Sequence, residues 1–219
     1  MKLAEAGEWI ATALVGQHSA CVTCSFQAEA MVLLSILRES IPDIPVLFID
    51  TGYHFQEVYR YRDEMTARYK LNLVNLRPAQ TVRQQESQFG ILHQSQPDLC
   101  CRLRKVEPLF RALESYDVWF AGLRRAQSPT RANLQVFDRF LLPSGKQLLK
   151  VSPLADWTDQ EIWKFARERE IPLLPLYDAG YASVGCEPCT AVPTDPNNLR
   201  SGRWAGRKLE CGIHLAEVR

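Results

Sequence analysis

Seven cysteines stand out in this 219-residue chain: Cys21, Cys24, Cys100, Cys101, Cys186, Cys189 and Cys211. They fall as two Cys-x-x-Cys pairs, one adjacent pair and a single late cysteine. In a reducing cytoplasm structural disulfides are not expected, so clustered thiols point to metal or redox work. Neighbouring helical residues point about 100° apart, so Cys100 and Cys101 could share one bulky ligand more easily than one small ion. With Cys186-Glu-Pro-Cys189 they supply four thiolates, enough for a [4Fe–4S] cluster or a zinc site. The plainer reading is four unpaired thiols, some of them buried as small hydrophobes. Cys21-Val-Thr-Cys24 has the same spacing but sits on an expected strand, where residues three apart face opposite sides. That pair reads as core packing. Cys211 lies close to Arg207, Lys208 and His214, cations that favour a thiolate. Chain ends are mobile. Cys211 is thus either a nucleophile able to swing between two partners or a plain surface thiol.

The basic residues gather around Arg102, Arg104 and Lys105, around Arg124, Arg125 and Arg131, and around Arg200, Arg203, Arg207 and Lys208. Arg200-Ser-Gly-Arg203 places two guanidiniums on a small turn, a fork suited to phosphate or sulfate. The chain as a whole carries 26 Lys and Arg against 25 Asp and Glu, a net charge of +1. This pattern fits a small, multiply anionic substrate and excludes a general nucleic-acid binder, which would need a basic excess. No apolar run reaches the ~18 residues of a membrane span, and residues 1–16 do not read as a signal peptide. The expected location is the cytoplasm.

These groups need a frame. The runs 19–25, 45–50 and 71–76 read as strands, separated by helices over 28–39 and from Phe55 to Tyr69. The order β-α-β-α-β implies a parallel sheet. Further helices are expected over 81–89 and 99–115, a buried strand over 117–121, and strands 136–140 and 147–151 at a sheet edge. Residues 3–15 fit a surface helix. Thr158-Asp-Gln-Glu161 is a capping box opening a helix through Arg169. From Ile171 the chain is rich in Pro and Gly. The expected organisation is a doubly wound α/β domain over 1–170 and a loop-rich appendage over 171–219. Ligands in such folds bind beyond the carboxyl ends of the strands, which marks the loops after Ser25, Asp50 and Gly122. Neither G-x-G-x-x-G nor G-x-x-x-x-G-K-[ST] occurs, which disfavours a standard dinucleotide fold and a P-loop.

Taken together, Cys24-Ser-Phe-Gln-Ala-Glu29, Phe48-Ile-Asp-Thr-Gly52, Cys100-Cys-Arg-Leu-Arg-Lys105, Gly122-Leu-Arg-Arg125, Pro153-Leu-Ala-Asp-Trp-Thr158, Gly185-Cys-Glu-Pro-Cys189, Arg200-Ser-Gly-Arg-Trp204 and Glu210-Cys-Gly-Ile-His214 resemble the adenylyl-sulfate/phosphoadenylyl-sulfate reductases. The likeness is to the iron–sulfur type that acts on adenosine 5′-phosphosulfate, and it spans most of the chain. The resemblance implies an adenine-nucleotide α-hydrolase-like fold. It implies a [4Fe–4S] cluster on Cys100, Cys101, Cys186 and Cys189, Cys211 as nucleophile, and thioredoxin or glutaredoxin as reductant. It places Lys105, Arg131, Arg200, Arg203 and His214 at the phosphosulfate, and Ser25, Phe26, Gln27, Asp50, Thr51, Gly52 and Gly122 at the adenosine. Two departures bear on this. Ala30 stands where relatives often carry an acid, and Ser-Phe-Gln-Ala-Glu replaces the Ser-Gly-Gly-x-Asp-Ser loop of ATP-using cousins. The alternatives are a 3′-phosphoadenosine 5′-phosphosulfate reductase and a zinc-containing sulfurtransferase of related fold. A homo-oligomer is compatible with the sequence.

Overall fold

The structure, a computed structural model, describes residues 2–16, 19–195, 198–208 and 210–214. Six strands form one sheet in the order β3-β2-β1-β4-β6-β5. They are β1 (Ala20–Thr23), β2 (Val46–Ile49), β3 (Leu73–Leu76), β4 (Val118–Ala121), β5 (Phe137–Leu141) and β6 (Gln147–Val151). All neighbours run parallel except β5, which returns antiparallel to β6. The central strands are short and apolar because both faces are covered; every residue of β4, Val-Trp-Phe-Ala, is buried. One face packs on helices α1 (Lys2–Leu14), α2 (Ala28–Ser40), α3 (Gln56–Tyr69) and α8 (Asp159–Glu168). The other face holds a smaller core around Leu109, Leu113, Trp119 and Phe140. Strand order reverses between β1 and β4, so the loops that leave their carboxyl ends diverge and open a crevice.

The expected mostly parallel α/β sheet is present. Strand β5 lies at the edge, but β6 does not: it is paired on both sides, with Leu148, Lys150 and Val151 buried. The capping box expected at Thr158 is made, its hydroxyl accepting from Glu161 N. Helix α4 (Val82–Phe89) carries a second one, from Thr81 and Gln84. A short helix, α5 (Leu92–Ser95), follows it.

The helix expected over 99–115 is three pieces. Helix α6 (Pro97–Cys101) runs into a π-helical turn, Arg102–Val106, and then into α7 (Glu107–Leu113). In that turn the Glu107 amide bonds the Arg102 carbonyl five residues back. Pro108 has no N–H to give the carbonyl four residues before it, and the wide turn accommodates its ring. The turn is fastened to the end of β2 by Arg104, whose Nε donates to the Thr51 carbonyl (2.5 Å) and Nη1 to Gln85 Oε1 (3.0 Å).

From Ile171 the described chain runs as loops and single 3-10 turns. It packs on the sheet domain. Leu174, Leu176 and Val184 join the larger core, the Ala28 amide donates to Tyr177 Oη (2.9 Å), and the Val184 amide to Gln27 Oε1 (2.8 Å). No described helix is long and apolar enough to cross a membrane.

Candidate active site

A cleft of about 790 Å³ occupies the crevice between the ends of β1 and β4. Gly122 permits the close approach at its base, since a Cβ there would stand 3.2 Å from the Glu29 carbonyl oxygen. Ten of the expected residues line it: Ser25, Gln27, Thr51, Lys105, Gly122, Arg131, Arg200, Arg203, Cys211 and His214. Phe26, Asp50 and Gly52 do not line it. Phe26 has φ +60°, which turns its ring into the core against Phe48 and Tyr61. Asp50 is held outside the wall, accepting from Tyr59 Oη (2.8 Å) and the Gly52 amide (3.2 Å).

The cations divide into two sets. Arg131 grips Glu210 with two hydrogen bonds, Nε to Oε1 (2.9 Å) and Nη2 to Oε2 (2.8 Å), and Arg200 stands 3.7 Å from the same carboxylate. Burial alone would raise Glu210. Arg131 and Arg200 reverse this and hold it below the usual carboxylate range. Lys105 and Arg203 pair with no carboxylate among the described residues, and Arg203 is buried with its guanidinium 4.5 Å from the Trp204 ring centre. Burial alone would lower Lys105. The negative charge that Cys186, Cys211 and Cys101 carry as thiolates outweighs that and holds its ammonium above the ordinary range. Arg203 stays lowered by burial despite the same thiols. Gly185 makes room for it, because a Cβ there would collide with the guanidinium.

Cys211 is half-buried and lies within electrostatic reach of Lys105, Arg200 and Arg203. These cations come from elsewhere in the fold. The sequence neighbours are turned away: Arg207 donates to the Gln94 carbonyl (2.9 Å), and Lys208 pairs with Asp98 (2.5 Å).

Beside the cleft, a small cavity is lined by Cys100, Cys101, Cys186 and Cys189, with Lys105 and Trp204 shared between the two. An antiparallel bridge between His54 and Cys186 joins the appendage to the loop after β2. Cys186 Sγ lies 3.3 Å from Thr51 Oγ1. Among the described residues no three His, Cys, Asp or Glu are placed to grip a single metal ion. Four thiols spread around a cavity suit a polynuclear cluster better than one zinc, which needs a tight tetrahedron. The donor set is also compensated: an assembly of four thiolates is anionic, and Lys105 and Arg203 face it. Burial pushes the Cys100 thiol up to about 11, and Cys101 and Cys189 rise for the same reason, so metal binding would release protons.

Two polar side chains at the cleft, His54 and Glu29, are given no role by the sequence reading. His54 Nε2 donates to the Ile49 carbonyl (2.8 Å), and Nδ1 has no hydrogen-bond partner within range among the described residues; burial lowers the ring to about 4 and keeps it neutral. Glu29, one residue before Ala30, accepts from buried Arg124 (2.6 Å) and from Gln127 (3.1 Å). Neither residue belongs to a spacing pattern that would have flagged it.

The phosphoadenosine phosphosulfate reductase domain pattern matches residues 19–192. The adenosine 5′-phosphosulfate reductase of Geobacillus kaustophilus (strain HTA426) is 44% identical over 88% of this chain and 82% of its own length. That of Mycobacterium bovis (strain BCG / Pasteur 1173P2) is 42% identical over 92% and 81%. Among solved structures, the phosphoadenylyl-sulfate reductase of Candida auris in its phosphate complex superposes with a TM-score of 0.72. It shares 24% identity over 85% of this chain and 90% of that one.

Proposed function

The chain belongs to the phosphoadenosine phosphosulfate reductase domain family, and from that premise we propose that it is an oxidoreductase converting adenosine 5′-phosphosulfate to sulfite and AMP in sulfate assimilation. The observation that carries the reading is Cys211, held in a nucleotide-sized cleft among Lys105, Arg200 and Arg203. The Cys211 thiolate attacks the sulfur of the phosphosulfate. The bond between that sulfur and the bridging oxygen breaks, AMP leaves with the electron pair, and a Cys–S–SO₃⁻ adduct remains. Cations aimed at the bridging and phosphate oxygens stabilise the charge that develops there. A thiolate of an external dithiol, thioredoxin or glutaredoxin, then attacks the Cys211 sulfur. Sulfite departs, and the second thiol of that dithiol resolves the mixed disulfide, returning Cys211 as a thiolate. The dithiol supplies the two electrons that take sulfur from the sulfate to the sulfite level.

Cys100, Cys101, Cys186 and Cys189 would hold a [4Fe–4S] cluster. When bound it supplies a fixed anionic charge next to Lys105 and ties the π-helical turn to the appendage. Lys105, at the boundary of cleft and thiol cavity, positions its charge between the four thiols and the substrate. Ser25, Gln27, Thr51 and Gly122 provide the adenosine end. The enzyme works in the cytoplasm, where thiols that ligate a cluster and a thiolate nucleophile stay reduced.

Purified protein tests this directly. It should be brown, contain iron and acid-labile sulfide, and release sulfite from adenosine 5′-phosphosulfate with a dithiol reductant. A colourless zinc protein that releases no sulfite would favour the sulfurtransferase reading instead.

A further inference from the structure

Lys150 is a buried lysine that the chemistry above does not use. It lies on β6, 3% exposed, with Trp119 of β4 and Asp138 of β5 opposite it in register. Its ammonium sits 5.3 Å from the Trp119 ring centre and 5.4 Å from that of Phe140. No carboxylate lies within ion-pair distance of it among the described residues. Among the described residues, the one hydrogen bond it donates goes to the Cys211 segment: Nζ to the His214 carbonyl, 3.1 Å. The His214 ring in turn stacks on Trp119, 5.4 Å between centres and 16° between planes. On the other side of Cys211, Glu210 is held by Arg131 and by the Thr130 hydroxyl (3.0 Å). Cys211 is therefore suspended between two anchors.

We propose that Lys150 is a positioning residue which, through the His214 carbonyl, holds the Cys211 segment closed over the cleft. A buried ammonium costs free energy unless it is bonded, and a methionine would pack between Trp119 and Phe140 without that cost. Apart from the two ring faces, the partner this charge finds among the described residues is the His214 carbonyl. When the segment lifts, water reaches the ammonium and takes the place of the carbonyl, so the anchor is reversible. Reversibility matters because the two half-reactions need different states, an inference that rests on the function proposed above. Attack on the phosphosulfate needs Cys211 down among Lys105, Arg200 and Arg203. Attack by a protein dithiol needs the Cys211 sulfur exposed.

The test compares Lys150→Met with wild-type holoenzyme in two measurements. The first is alkylation of Cys211 by iodoacetamide, located by peptide mapping, which does not depend on the reaction assigned. Opening should raise its rate about tenfold, the loss expected for one hydrogen bond to a charged group; an unchanged rate overturns the proposal. The second follows the half-reactions separately. AMP release in a single turnover should slow, by less than the alkylation rate rises because the closed state still predominates, while sulfite release from preformed adduct by the protein dithiol stays the same or quickens. Equal slowing of both would mark a merely structural role and overturn the proposal. If Lys150→Met does not fold, Lys150→Leu removes the same ammonium with a different apolar side chain. It should raise alkylation likewise, and failure to do so counts against the anchor. Wild-type protein that gives no AMP burst would refute the function reading, and the alkylation rates would still decide whether Lys150 holds the segment.

Discussion

Cys21 and Cys24 are separated by the same two residues as Cys186 and Cys189. Cys21 packs into the smaller core on one face of the sheet and Cys24 into the larger core on the other, both at most 2% exposed. Burial pushes Cys24 up to about 12 and Cys21 higher still. Cys186 caps a 3-10 turn that Cys189 ends, with no sheet to split them, and they reach one cavity together with Cys100 and Cys101. Spacing sets how far apart two thiols can be; the backbone conformation between them decides whether they can act together. A pleated strand separates the pair and a tight turn unites it.

The sharpest way to break this contrast is to remove one thiol at a time. Cys186→Ser or Cys189→Ser should lose iron and sulfite formation together, whereas Cys21→Ser and Cys24→Ser should keep full iron content by colorimetric assay. Iron loss in the Cys24 variant comparable to that in the Cys186 variant would erase the distinction. Next in size, Arg203→Ala should weaken nucleotide binding by ~1.5–3 kcal/mol, the range for hydrogen bonds to a charged group, with iron retained. Titration calorimetry with AMP measures it, and unchanged affinity would take Arg203 out of the anion site.

The smallest effect sharpens the other half of the contrast. An unfolded cysteine titrates at about 8.5, far below the folded values of Cys21 and Cys24. Their contribution to stability is whole below that pH. It is lost as pH rises above it, because the unfolded chain gives up protons the folded chain keeps. Denaturant midpoints should therefore fall between pH 8.5 and 10.5, and fall less steeply in Cys24→Ala. That variant should cost about 1 kcal/mol at pH 7, an ordinary core truncation.

The sheet was legible because its central strands are buried on both faces and show as unbroken apolar runs. The cysteine sets and the Arg200–Arg203 fork were legible because their residue types are chemically narrow. Other features were hidden by geometry that sequence does not carry. Phe26 stands between two cleft residues, and a single positive φ sends it inward. Arg207 and Lys208 precede Cys211 closely, yet both bond to the segment around Gln94 and Asp98, and the cations that reach the thiol come from two other places in the chain, Lys105 and the Arg200–Arg203 turn. The burial of Lys150 has no local signal, because the segment that bonds it lies 64 residues further along. The pattern of β6 shows its hairpin neighbour β5 but not β4 on its other side, a parallel pairing that a crossover sets.

The account stands or falls on the sulfur of Cys211. Wild-type protein mixed with adenosine 5′-phosphosulfate and no dithiol should turn over once and stop. It should release one equivalent of AMP and gain the mass of one SO₃ group, which peptide mapping should place on Cys211; added thioredoxin should then discharge it as sulfite. Cys211→Ser should keep its iron, bind nucleotide and form no adduct. An adduct on Cys189, or sustained sulfite formation by Cys211→Ser, would contradict the assignment of Cys211 as the nucleophile.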